Sequence, residues 1–351
     1  MADPVKRDNR RTGSHGSVLR RVHGAGLIER RVGDVSWLEL RSGGVRVAFT
    51  GRAGGAAAGP YAAHNLALNV GDDAEIVLAN RHRVSSALGV AAGDLVVPVQ
   101  VHGVYIAEVN APDRGRGARM IVSAGAEGAH GVHAGDATAN GAHGPLAAVS
   151  LAAIPDCDGL WTRTSDVPLM IATADCVAVC VAARAADGRV ALALVHAGWR
   201  GMIDGIVRRA CALVSSHGTP FMAAIGPSIG PCCFTVSESL AVRFADQYGS
   251  DVSPRTVAAP GDALDRAAAT DESPAHALLP HVDVESDNRF RVDLWRAAQT
   301  DLIAGGVAAA DIVTAGICTR CDERYFSYRG DGGVTGRQAA IAWIEPTEGE
   351  Q

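Results

Sequence analysis

Two histidines and a cysteine are the residues of this chain whose types and positions suggest chemistry. His102 follows the apolar segment LVVPVQV, Cys176 ends the segment MIATADC, and His196 follows VALALV. Each lies in or at the end of a predicted strand, and strand ends can converge. Two imidazoles and one thiolate suit zinc, and three protein ligands leave a fourth position open, as in catalytic zinc sites. The residue types alone leave two alternatives, a hydrogen-bonded structural histidine and an inert core cysteine.

Apolar periodicity predicts the elements that must position these residues. VSWLEL and VRVAFT alternate as strands around an RSGG turn, and a helix is predicted over about 73–88 with Asp72 or Asp73 as N-cap. GMIDGIVRRACALVSSHG predicts one continuous helix. Its apolar face would comprise Ile203, Ile206, Val207, Ala210 and Val214. Because hairpins and crossovers both occur, the pattern favours an α/β or α+β fold with mixed sheets over a doubly wound parallel sheet.

Composition limits the organisation and the class of partner. The chain has 351 residues, 48% of them hydrophobic, and a formal net charge of -6. We expect one catalytic domain over 35–346, a basic and disordered tail over 1–34, and flexible insertions near 112–150 and 251–288. The charge argues against a nucleic-acid partner. No apolar run approaches the ~18 residues of a membrane helix, and no signal-peptide core follows the N-terminus, so a cytoplasmic protein without a membrane partner is predicted.

Several short motifs occur in a specific order along the chain. They are FTGRAGG, NLALNVGDD, QVHG, TADC, HAGWRG, IGPSIGPCCF and FSYRGDGGVTGRQA. Together they resemble the laccase-domain (YfiH-like) family, which is also named for polyphenol oxidase, purine nucleoside phosphorylase and peptidoglycan editing factor. The resemblance runs from about Val45 to Ile344 and implies a mixed-sheet fold similar to that of cytotoxic necrotizing factor. It also implies a zinc ion held by His102, Cys176 and His196.

The resemblance implies an enzyme that acts on purine nucleosides. The reactions would be phosphorolysis of adenosine, inosine, guanosine and methylthioadenosine, together with deamination of adenosine. The partners would be nucleosides and phosphate, and the protein would be a monomer or a weak homodimer. One alternative is a peptidoglycan editing hydrolase that removes a wrong amino acid from UDP-muramyl precursors. A second is a copper-dependent polyphenol oxidase, since Cu²⁺ can replace zinc in such sites, although the chain has no His-x-His motif.

Further residues in these motifs are candidates for binding and catalysis. Arg52, Arg200 and Arg329 lie in Gly-rich segments where a guanidinium can bind phosphate, and loop-bracing arginines are the alternative. Asp175 precedes Cys176 and is expected to orient a ligand or carry protons. Asn65 is a candidate substrate contact, with the fixing of a turn as an equal alternative. The catalytic set is therefore Cys176, His196, Arg200 and Asp175.

The chain also departs from the family pattern. Asn69 stands where the family often has histidine, and Gly330 stands where it often has a second arginine, so one positive charge near the site is missing. Cys232 and Cys233 are interpreted as packing residues. Cys318 and Cys321 form a C-x-x-C for which the sequence offers no second C-x-x-C as partner, so a structural role is favoured over metal binding.

Overall fold

The structure is a computed structural model that describes residues 20–21, 26–118, 153–249, 252 and 290–346. The described strands are β1 (Arg20–Arg21), β2 (Ile28–Val32), β3 (Val35–Ser42), β4 (Val45–Thr50), β5 (Ile106–Glu108), β6 (Gly159–Thr162), β7 (Leu169–Thr173), β8 (Val177–Arg184), β9 (Val190–Ala197), β10 (Thr219–Ile225), β11 (Thr235–Val236), β12 (Phe290–Arg291), β13 (Ile312–Thr314) and β14 (Gln338–Ile344). The described α-helices are α1 (Ala74–Leu88), α2 (Trp199–Ile203), α3 (Ile206–Ser215), α4 (Glu238–Tyr248) and α5 (Leu294–Ala304).

Two six-stranded sheets form the centre of the fold. The first has the order β1-β2-β3-β4-β14-β7 and is antiparallel throughout. The second has the order β13-β10-β8-β9-β6-β5 and contains parallel pairs at both edges, β10 with β13 and β5 with β6. A short pair, β11 with β12, stands apart. The expected single α+β domain with mixed sheets is confirmed.

Three apolar layers hold the two sheets and the helices together. Leu40 and Val47 of the first sheet meet Cys180 and Leu194 of the second between the sheets. The outer face of the first sheet packs on α1, and the outer face of the second packs on α3 and α5. The architecture is therefore helix, sheet, sheet, helices, and each sheet is buried on both faces.

Burial on both faces explains the continuous apolar run of β9. Leu192 and Leu194 point into the layer between the sheets, whereas Ala193 and Val195 point towards α3. A strand covered on both faces does not alternate with polar residues. His196 continues the Leu192–Leu194 face and is only 3% exposed. It therefore lies where the apolar layer between the sheets ends.

Local sequence signals account for several element boundaries. Asp73 is the N-cap of α1, since its carboxylate accepts hydrogen bonds from the amides of Glu75 and Ile76. The β3–β4 hairpin turns at Gly43 and Gly44, both with positive φ, as a two-residue turn of this kind requires. The helix and the hairpin that the sequence predicted are confirmed.

Two predicted boundaries differ from the structure. The single helix expected from Gly201 is two helices, because the chain leaves α2 at Asp204 and Gly205 adopts φ +89° before α3 begins. Ile203, assigned to the buried face, is half-buried. The expected tail over 1–34 is also too long, since β2 pairs with β3 in register.

Parts of the other expectations lie outside the described residues. These are residues 1–19 and 22–25 of the predicted tail, residues 119–150 of the first predicted insertion, and all of the second, 251–288, except Val252. Residues 112–118 are ordered, and the Arg81 guanidinium donates to the carbonyls of Gly117 and Ala118. In the part of the chain that the structure describes, no helix is long and apolar enough to cross a membrane.

Candidate metal centre

The registers of three neighbouring strands bring the predicted ligands together. In the β8–β9 pair Val177 lies opposite Ala197, so Cys176, one residue before β8, comes next to the end of β9 that carries His196. In the β6–β9 pair Gly159 lies opposite Val195, which places Asp158 beside His196. Because these strands are antiparallel, the start of β6, the start of β8 and the end of β9 meet at one edge.

The sequence suggested that Cys176 lies in a strand, but the structure places it in a turn. β7 ends at Thr173 in the first sheet and β8 begins at Val177 in the second, so residues 174–176 connect the two sheets. The apolar sequence on both sides hides this crossover because both strands are buried. Asp175 in the turn has φ +84°, a conformation that L-residues other than Asn and Asp rarely adopt.

His102 also lies outside any strand. The segment LVVPVQV makes only isolated bridges, Val96 to Leu169 and Pro98 to Ile154, and His102 has φ +61°. The Asp158 carboxylate holds this loop, since it accepts hydrogen bonds from the amides of Val101, His102 and Gly103 at 3.1, 2.9 and 2.6 Å. The loop, and not a strand end, therefore presents the imidazole.

Asp158 is a candidate site residue that the sequence did not reveal. It is fully buried, and its Oδ1 lies 2.8 Å from Nδ1 of His196. A carboxylate on one ring nitrogen fixes the imidazole orientation and leaves Nε2 available as a ligand. Asp158 thus positions two of the three predicted ligands, His196 through its ring and His102 through its backbone. An aspartate directly before a buried apolar strand, DGLW, was the only local signal.

The three ligand atoms are close enough for one ion. One nitrogen from each histidine and the Cys176 sulfur all lie within 4.8 Å of one another. Cys176 Sγ is 3.8 Å from His102 Nε2, roughly the separation of two ligands on one tetrahedral zinc. The histidine rings meet edge to face with centroids 4.8 Å apart. A two-nitrogen, one-sulfur set in this arrangement fits zinc.

The electrostatics of the centre favour the charged thiolate. Burial opposes ionisation of Cys176, but the His196 charge and a hydrogen bond with His102 outweigh it and lower the pKa of the thiol to about 6. Burial likewise opposes protonation of His196, yet Cys176 and Asp158 raise the pKa of its imidazole to about 9. Without a metal the centre is therefore a thiolate–imidazolium pair, and a bound cation would replace the imidazolium proton.

Gly198 and Gly201 of HAGWRG make room for this packing. A Cβ on Gly198 would lie 2.8 Å from Cδ2 of His102 and 3.2 Å from Sγ of Cys176. A Cβ on Gly201 would lie 2.8 Å from the carbonyl oxygen of Gly103. Only glycine permits the end of β9 to approach the ligands this closely.

Asp175 connects the Cys176 turn to the C-terminal segments. Its carboxylate accepts hydrogen bonds from the Thr319 hydroxyl and the Arg329 amide, both at 2.6 Å. Burial raises the pKa of this carboxyl, although the hydrogen bonds from Arg329, Thr319 and Ser327 act in the opposite direction. Because both oxygens accept bonds from the chain, Asp175 is placed to hold the turn.

The three arginines predicted to bind an anion have different surroundings. Arg52 donates to the Ala62 carbonyl and lies 3.7 Å from Asp331, and Arg329 donates to Thr235. Arg200 lies over the Trp199 ring at 4.8 Å. Within the described residues its guanidinium makes no hydrogen bond or ion pair. Of these three arginines, Arg200 is therefore the one whose guanidinium donors no described residue uses.

Asn65 has the surroundings of a residue that fixes a turn. It is fully buried, its amide nitrogen donates to Ala67 and Asp72, and its oxygen accepts from the amides of Ala67 and Arg337. All four hydrogen-bonding positions of the side chain are thus used within the chain. This arrangement corresponds to the turn-fixing alternative.

Arg337 brings a positive charge that the sequence interpretation overlooked. Gln338 pairs with Thr173 in the β7–β14 register, so Arg337 comes next to the Asp175–Cys176 turn. Burial lowers the pKa of its guanidinium, and the charges of Cys176 and Asp175 oppose that effect. Asn69 is exposed, and a Cβ on Gly330 would lie 3.0 Å from the Ser327 hydroxyl. A side chain at position 330 would therefore crowd Ser327.

The sequence matches the family model described as multi-copper polyphenol oxidoreductase laccase over residues 46–345. The chain belongs to this family. It is 33% identical over 303 residues to "Purine nucleoside phosphorylase YlmD" of Geobacillus stearothermophilus, covering 85% of this chain and 89% of that protein. A protein of Deinococcus radiodurans named purine nucleoside phosphorylase is 29% identical over 306 residues, 86% of this chain and 90% of its own length.

Solved structures of family members share the fold. The Bacillus licheniformis hypothetical protein YfiH superposes with a TM-score of 0.67 at 22% identity, over 90% of this chain and 99% of its own. YlmD from Geobacillus stearothermophilus gives 0.64 at 29% identity, over 90% and 98%. Both structures therefore share the overall fold of this chain.

Proposed function

We propose that this family member is a zinc-dependent purine nucleoside phosphorylase that also deaminates adenosine. The observation that carries the proposal is the convergence of His102, Cys176 and His196, whose ligand atoms lie within 4.8 Å of one another. Relatives named purine nucleoside phosphorylase, 28–33% identical to this chain, support the substrate class. The sequence-predicted ligands His102, Cys176 and His196 would hold the ion. Bound there, zinc would supply Lewis-acid chemistry at near-neutral pH.

The surrounding residues divide into positioning and binding roles. Asp158 holds the His196 ring and the His102 loop, and Asp175 holds the Cys176 turn. Arg200 is proposed to bind phosphate, because no described residue accepts a hydrogen bond from its guanidinium, and a guanidinium matches phosphate oxygens in a bidentate manner. Arg52 and Arg329 are proposed to brace the loops that they contact, through the Ala62 carbonyl and through Thr235. The Asn65 amide would keep its structural role.

Phosphorolysis and deamination differ in the nucleophile that attacks the nucleoside. In phosphorolysis an oxygen of inorganic phosphate forms a bond to C1′ of the ribose while the N-glycosidic bond breaks, giving free base and ribose 1-phosphate. In deamination water adds at the amino-bearing carbon of adenosine and ammonia leaves, giving inosine. The first reaction needs an anion pocket and the second does not. Removal of the Arg200 charge should therefore separate them.

The decisive experiment measures metal and products in one sample. The purified full chain is analysed for metal per chain, then incubated with adenosine or inosine with and without phosphate, and the products are separated by chromatography. We expect zinc in the preparation, release of adenine or hypoxanthine only with phosphate, and inosine from adenosine without it. Zinc without purine turnover would overturn the proposal and favour release of L-serine from a UDP-muramyl-serine substrate. Turnover of phenols that requires added copper would favour the oxidase.

The Arg200→Ala variant tests the phosphate site. Loss of a charged hydrogen-bonding partner costs about 1.5–3 kcal/mol, which corresponds to roughly a 10- to 150-fold loss in kcat/KM for phosphate. Deamination should change much less. Arg189→Ala is the matched control, because Arg189 is an exposed arginine that pairs only with Asp187 among the described residues. An equal loss of both reactions in Arg200→Ala would show that Arg200 does not bind phosphate.

A further inference from the structure

A second group of potential metal ligands lies outside the centre described above. Among the described residues, four cysteines place their sulfurs within 4.8 Å of one another: Cys232, Cys233, Cys318 and Cys321. Cys321 Sγ lies 3.6 Å from Cys232 Sγ and 3.3 Å from Cys233 Sγ. We name this group the four-cysteine cluster. Cys232 and Cys321 are 89 positions apart in the sequence, so no local pattern pairs the two halves.

Backbone contacts, and not the thiols, bring the two halves together. Ser228 and Cys318 form a parallel bridge, in which the Ser228 amide donates to Ile317 and the Thr319 amide donates to Ser228. After this bridge one segment turns at Gly230, whose carbonyl accepts the amides of Cys233 and Phe234. The other turns at Cys318, whose carbonyl accepts the amides of Cys321 and Asp322. Each turn therefore points two cysteines towards the other.

The spacing of the four sulfurs bears on their charge. All four lie within 4.8 Å of one another, so four thiolates would repel each other strongly. A cation among them would compensate that charge.

We propose that the four-cysteine cluster is a second zinc site, of the closed, structural type. Four sulfurs about 2.3 Å from one tetrahedral zinc lie roughly 3.8 Å apart, close to the observed 3.3 and 3.6 Å. A disulfide requires a sulfur pair about 2.05 Å apart, whereas here Cys321 is near two partners at once. The set of four thiolates leaves no position for substrate. This inference concerns metal content and stability, and it does not depend on the purine reaction.

The four-cysteine cluster would also stabilise the turn that carries Cys176. Thr319 lies inside the C-x-x-C turn, and its hydroxyl donates to Asp175, the neighbour of Cys176. From the other turn, the Ile229 amide donates to the Asp175 carbonyl at 2.9 Å. Both halves of the cluster therefore hold the same residue of the Cys176 turn. An ion that joins the halves would restrain this turn without contacting a ligand of the first centre.

Metal analysis of four forms of the full chain tests the proposal. The unmodified protein should contain about two zinc ions per chain, one in each site. Cys321→Ser, at an exposed position, and His196→Ala should each retain about one, and the double variant should retain none. Cys180→Ala is the matched control, because Cys180 is a buried cysteine outside both sites, and it should retain both ions.

Cobalt substitution of the His196→Ala variant examines the cluster with its cysteines intact. Cobalt held by four thiolates in a tetrahedral site gives intense visible absorption, and the Cys321→Ser change in the same background should abolish it. A colourless cobalt-loaded His196→Ala variant would overturn the proposal. The proposal would also be overturned if the cluster held no metal and two of its thiols could be detected only after a reductant was added, because that result would indicate a disulfide. Bound iron in place of zinc would also contradict the assignment.

Discussion

The two ligand groups of this protein differ in almost every physical respect. The proposed metal centre of His102, Cys176 and His196 offers two nitrogens and one sulfur, and the four-cysteine cluster offers sulfur alone. In the first, His196 is 3% exposed and depends on a buried carboxylate, whereas Cys232 and Cys321 of the second are exposed. Three ligands leave a coordination position for chemistry, and four do not. One arrangement is suited to reaction and the other to holding the chain.

The backbone shows the same contrast. Of the four non-glycine residues with positive φ in the described chain, His102 and Asp175 lie at or beside the three-ligand centre, and none belongs to the four-cysteine cluster. Such conformations cost about 1–2 kcal/mol each and persist where the surroundings enforce them. Here Asp158 enforces the first, and Thr319 with Arg329 enforces the second. The backbone of the three-ligand centre therefore carries a conformational cost that the backbone of the four-cysteine cluster does not.

The largest expected effect is that substitution in the first centre lowers turnover, whereas substitution in the four-cysteine cluster lowers thermal stability. Cys176→Ala should lower turnover more than roughly a hundredfold, because loss of a ligand exceeds the 10- to 100-fold typical of an outer contact. The melting temperature of the Cys176→Ala variant should change little. Cys321→Ser should retain most turnover but melt roughly 5–10 °C lower, since its ion stabilises only the folded chain.

Turnover assays and thermal melts of both variants measure these two losses, with Cys180→Ala as control. If Cys321→Ser lost turnover as completely as Cys176→Ala while its melting temperature stayed the same, the division into a reactive and a structural group would be wrong. If both variants lost stability equally, the first centre would hold the fold as well.

A smaller effect is expected when the carboxylate behind the first centre is neutralised. Asp158→Asn keeps the shape, but it removes the charge that holds the His196 ring and the His102 loop. Zinc affinity and turnover should each fall about 10- to 100-fold. Competition with a chromogenic chelator measures the affinity. Asp301→Asn is the matched control, a buried aspartate that binds Arg208 and Tyr248 elsewhere, and its zinc affinity should be unchanged.

The sequence predicted correctly that His102, Cys176 and His196 come together, but it did not predict the turn and the loop that carry two of them. The apolar run of β9, the hairpin and the Asp73 cap are local patterns, and they were recoverable because burial and capping act over a few residues. The crossover at Cys176 between two sheets was not, since the flanking strands are equally apolar. Asp158 and the four-cysteine cluster depend on strand register and on contacts between distant segments, which no local periodicity encodes.

The smallest effect concerns the charge state of Cys176 in the metal-free protein. With zinc removed by a chelator, the Cys176 thiolate fraction should rise as pH increases through about 6, because His196 and His102 favour the charged form over the opposing burial. Cys232, whose pKa is raised to about 11, should remain protonated across that range. Iodoacetamide labelling from pH 5 to about 9, followed by mass spectrometry of the two peptides, should therefore show Cys176 reacting first. His196→Ala removes the main favourable charge and should move the Cys176 profile to higher pH, while Cys232 stays unchanged. Coincident profiles of the two cysteines near pH 9 would mean that the imidazolium does not activate Cys176, and the electrostatic contrast between the two groups would then be lost.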